Sequence, residues 1–60
     1  MSEEEIQIVE KMKIYGGSFV QALADCFYNA DLVNFKKLKK SFPEYWEEYR
    51  NFEIPNPKIY

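Results

Sequence analysis

Apolar residues recur at helical spacing in three stretches of the chain. Phe19, Leu23, Cys26, Phe27 and Ala30 share one stripe, and Gln21, Asp25 and Asn29 fall opposite it. That pattern marks an amphipathic α-helix, predicted from Phe19 to Ala30 with Ser18 as its cap. Phe35, Leu38 and Phe42 form a second stripe, which predicts a helix from Leu32 to Lys40 capped by Asp31. Tyr45, Tyr49 and Phe52 form a third, with Trp46 at its edge. Pro43 ends the helix before it and starts this one, because it lacks an N–H and its φ is already set for a first turn. The last helix is expected to fade near Phe52 or Glu53.

The opening segment is less clean. Ser2-x-x-Glu5 fits a capping box, and Glu3, Glu4 and Glu5 place negative charge where a helix dipole favours it. A helix from Glu3 to Lys13 follows, with Ile6, Val9 and Met12 on one side. The same residues also alternate: Ile6 and Ile8, then Met12 and Ile14. Read as a strand, this segment would need a second copy or a partner to pair with. Helix is the preferred reading. Gly16-Gly17 then breaks the chain, since glycine ends helices at little steric cost. The tail Ile54-Pro55-Asn56-Pro57-Lys58-Ile59-Tyr60 carries two prolines in three residues and is expected to be extended. The resulting expectation is all-α: a small bundle of three to four short helices over residues 1–53, with an extended Pro-containing tail over 54–60.

Length changes what such a bundle can do. Sixty residues exclude a Rossmann unit, a barrel or a repeat array. Helices of nine to twelve residues are marginal alone in water and must shelter one another. Aromatics suit that task because each buries a large area, and they make up 18% of this chain. A small helical domain cannot cover every ring, so Tyr15, Tyr28, Trp46 and Tyr60 are expected to stay partly exposed. Tyr and Trp left at a surface are typical anchors of protein interfaces. Self-association would bury more, and a homodimer is expected as readily as a monomer.

Candidate chemistry is sparse. Histidine is absent, which removes the commonest general base and metal ligand. Cys26 is the only cysteine, so no internal disulfide or structural zinc site is expected. Its place on an apolar stripe reads as core packing, and a chain without disulfides reads as intracellular. Met1 reads as the natural start, and the acidic opening lacks the basic start of a signal peptide. No apolar run approaches the ~20 residues that span a bilayer. Tyr15-Gly16-Gly17-Ser18 lacks the pattern of a phosphate loop and reads as a helix break and cap. Glu44 and Glu48, one helical turn apart, read as a solvated face. No catalytic residue, metal or cofactor is expected.

Charge is informative in its distribution rather than its sum, which is −2. Lys36, Lys37, Lys39 and Lys40 cluster on one helix, with Tyr45, Trp46 and Tyr49 just beyond. The plain reading is a solvated face opposite an apolar stripe. The functional reading is contact with an acidic protein partner through these seven residues. The alternative is nucleic-acid binding by the lysine face, since cations beside stacking aromatics hold single strands.

The stretch from Ile14 to Tyr49, most specifically its pieces Tyr15-Gly16-Gly17-Ser18-Phe19-Val20 and Phe42-Pro43-Glu44-Tyr45, resembles small proteins encoded by bacteriophages and prophages. The resemblance covers about two-thirds of the chain and carries no functional residue with it. It implies a setting, the cytoplasm of an infected bacterium. It also implies a mode of action: binding a host or phage protein, in some cases to blunt a host defence system.

Overall fold

The structure, a computed structural model, describes residues 1–54. Four α-helices follow one another: α1 (Glu3–Tyr15), α2 (Ser18–Asn29), α3 (Leu32–Ser41) and α4 (Pro43–Arg50). No strand is present among the described residues. The expected course of the tail and the expected exposure of Tyr60 fall on residues 55–60, outside the described ones.

Three of the four helix starts have a local cause. The Ser2 hydroxyl accepts from the Glu5 N–H at 3.2 Å, and the Glu5 carboxylate accepts from the Ser2 N–H at 2.8 Å. This closes the capping box and commits the segment to helix rather than to the alternating strand. The core face of α1 is Ile8, Val9 and Met12, all buried. Ile6, expected on that face, lies at its edge and is exposed, and Ile14 is more exposed still. Asp31 caps α3 by accepting from the Asn34 N–H at 2.8 Å, and Pro43 occupies the first turn of α4.

The turn between α1 and α2 departs from expectation. Both glycines have ordinary negative φ, so neither supplies a left-handed turn. Gly16 is required for space instead. A Cβ there would lie 2.5 Å from the Met12 carbonyl oxygen and 2.5 Å from Val20 Cγ1. Gly17 faces open space and is the N-cap of α2. Ser18, expected as that cap, is already the first residue of the helix, and no side chain caps this end.

Helix α2 packs mainly on α1 and buries Val20, Leu23, Ala24 and Phe27. Its expected stripe is thereby rotated. Phe19 and Cys26, both assigned to the core from spacing, are exposed. The reason is that α1, rather than α3, is the principal neighbour of α2, so the face turned inward centres on Val20, Ala24 and Phe27.

One ring from each of three helices fills the centre. Phe27, Phe35 and Trp46 have centroids 5.3, 5.3 and 5.7 Å apart in tilted or edge-on arrangements. These are the offsets that aromatic quadrupoles favour. Trp46, expected to stay partly exposed, is only 5% accessible because Phe27 and Phe35 form the slot that receives it. Tyr49 is buried and Leu38 half-buried. Tyr15 and Tyr28 do remain exposed.

Beyond α4 the chain turns back onto α1. The Lys11 ammonium donates to the Phe52 carbonyl at 3.0 Å. The Phe52 ring stands 5.0 Å from that of Tyr15 and 5.6 Å from that of Tyr49.

Candidate functional site

The four lysines of α3 do not act as one group. The Lys39 ammonium sits 4.9 Å from the Trp46 ring centroid and 6.0 Å from that of Phe35. It also reaches the Glu5 carboxylate of α1 at 3.4 Å. Lys39 thus ties α3 to α1 and α4, and its charge is engaged within the domain. This corrects the reading of a four-lysine outer face. Glu5 is held below its ordinary carboxylate range, chiefly by the backbone N–H of Ser2, against the opposing effect of burial, and further by Lys39.

Lys36, Lys37 and Lys40 are exposed and make no ion pair among the described residues. At 100° per residue they share an arc of about 140° with Leu32 and Val33. Leu32 is 67% and Val33 63% exposed. The outer face of α3 therefore combines two bare aliphatic side chains with three unpaired ammonium groups. At one edge, Leu32 and Lys36 border a cavity of about 340 Å³ whose floor is Phe27 and Phe35 and whose rim includes Met1.

The aromatic half of the predicted contact surface is largely withdrawn. Trp46 and Tyr49 belong to the core and present little to a partner. Tyr45 is half-buried and meets Phe19 at 5.6 Å and Phe42 at 6.3 Å. Phe19, 54% exposed, completes this group at 5.8 Å from Phe42. The ring most open to contact there is therefore one that spacing had placed in the core. Leu32 and Val33 were missed as well. Their signal was present: both lie off the Phe35–Leu38–Phe42 stripe, on the turn of the helix that periodicity leaves outside.

Little else offers chemistry. Glu44 and Glu48 are solvent-exposed on α4. No group of three or more His, Cys, Asp or Glu is placed to hold a metal ion among the described residues. Among these residues no helix is long and apolar enough to cross a membrane. No family model, curated protein or solved structure matches the chain.

Proposed function

We propose that this protein is a non-enzymatic binding protein that docks the outer face of α3 onto an acidic surface of another protein. The observation that carries this reading is the exposure of Leu32 and Val33 among three unpaired lysines. Covering two such aliphatic side chains contributes on the order of 25 cal/mol per Å² of apolar surface removed from water. The lysines add orientation and speed of encounter, because a positive patch steers towards a negative one. The partner proposed is a host or phage protein in an infected bacterial cell, a setting suggested by the resemblance to small phage-encoded proteins. Inhibition of a host defence system is the role that fits this setting.

The test is capture from infected-cell extract, read by mass spectrometry. The chain is compared with Lys36→Glu/Lys37→Glu/Lys40→Glu and with Leu32→Ser/Val33→Ser. Both variants should lose the same captured protein while keeping the thermal transition of the parent. Equal capture by all three forms would overturn the assignment of this face. The nucleic-acid reading is separated by salt. Contacts to phosphates weaken steeply as salt rises, whereas aliphatic contacts do not. The bare Leu32 and Val33 favour a protein, since a phosphate backbone offers them nothing apolar.

A further inference from the structure

We infer that a second copy of this chain covers the outer face of α2, in a two-fold symmetric pair. This surface meets the α3 face only at Lys37, which lines the groove described below, and does not depend on that face's assignment.

The face contains a projection and a recess. Phe19, Ala22 and Cys26 lie along one side of α2, and all three are exposed. Towards the other end of the helix, on the side facing α3, lies a groove of about 410 Å³ lined by Cys26, Asn29, Ala30, Leu38, Ser41 and Lys37. Two α2 helices packed antiparallel about a two-fold axis midway between Ala22 and Cys26 oppose Ala22 to Cys26. The same operation opposes Phe19 to Asn29, at the mouth of the groove. Each copy then offers its Phe19 ring to the recess of the other. This is the self-complementarity an isologous interface requires, where residue i meets j and j meets i. Ala22 and Cys26 are small enough at the crossing point for the helices to approach.

Charge selects this face over the others. Helix α2 holds one charged residue, Asp25, which is paired with Lys13 at 3.0 Å. Asp25 borders Ala22 and Asn29 one helical turn away with its charge met by Lys13, and Lys37 is the only charged residue lining the groove. Two copies meeting here bring no like charges into the centre of the contact. The outer faces of α3 and α4 are unsuited to meeting themselves. The lysines of α3 would oppose lysines, and Glu44, Glu47 and Glu48 of α4 would oppose glutamates.

Sedimentation equilibrium of the full chain from micromolar to millimolar concentration tests this. The expected mass rises with concentration from 7.2 kDa to twice that value. Phe19→Asp should weaken association at least tenfold. Ala22→Glu, at an exposed position with no ring partner, should do the same if the first variant perturbs folding. Lys36→Glu/Lys40→Glu, which leaves the groove residue Lys37 in place, should still dimerise, which separates this surface from the proposed docking face. A short bismaleimide should join Cys26 of one copy to Cys26 of the other. A mass of 7.2 kDa at every concentration, or Phe19→Asp and Ala22→Glu variants that both associate like the parent, would overturn the inference.

Discussion

Helices α2 and α3 are adjacent in sequence and similar in length, yet they are held in opposite ways. Helix α2 buries four residues and is fitted closely to α1 through Gly16. Helix α3 buries only Phe35 and is retained by that ring, by the Asp31 cap and by the Lys39 contacts. One is anchored by shape and leaves an outer face with a single charge, Asp25, which is paired with Lys13. The other is anchored by a few specific interactions and leaves a basic one. In a chain this short, a helix need not be deeply buried to be placed, provided its few contacts reach the centre.

The largest effect should come from the residue both helices share. Phe27→Ala removes the ring that Phe35 and Trp46 pack against, and a Phe→Ala change in a core costs about 3–5 kcal/mol. For a domain of this size that is most of its stability, so the cooperative thermal transition should disappear from circular dichroism. Next is the shape-fitted seam. Gly16→Ala should lower stability by about 1–3 kcal/mol through overpacking, since its Cβ would meet backbone and a β-branched side chain. Chemical denaturation of Gly16→Ala and Gly17→Ser together sharpens this. The second substitution meets open space and supplies a capping hydroxyl, so it should gain a few tenths of a kcal/mol.

The looser helix should answer to Lys39. Lys39→Gln removes a cation held over Trp46, an interaction of about 0.5–1 kcal/mol at a partly exposed position. Amide hydrogen exchange should quicken across α3 while α2 stays protected; equal changes in both would erase the distinction between them. The smallest effect is on pH. The Glu5 pKa is lowered in the folded chain, so its contribution is present above its unfolded value and is lost as pH falls through the folded one. Melting temperature should therefore drop on acidification below about pH 4.5, the ordinary value. Glu5→Gln keeps an acceptor in the capping box and should flatten that drop.

Much of this architecture was legible from local signals. Ser2, Asp31 and Pro43 set three helix starts by short-range chemistry, and each is found where it was expected. The rotation of α2 was not legible. Its apolar stripe is wide enough to bury either edge, and the choice depends on which neighbour it meets. Phe19 and Cys26 are on the losing edge for that reason. The role of Lys39 was hidden too, because a lysine among lysines gives no sign that one of them bends inward over a ring. Trp46 was misplaced by treating the edge of a stripe as its exposed side. Its slot is built by Phe27 and Phe35 from other helices, and such a slot exists only once those helices have met.

Met1 has a practical consequence. It sits on the rim of the cavity beside Leu32 and Lys36, whereas Phe52 and Lys11 fasten the chain after α4 to the far part of α1. A purification handle or fluorophore attached ahead of Met1 would hang across the very patch a binding assay needs open. Where a label is attached therefore decides whether a pull-down reports on the protein or on the label.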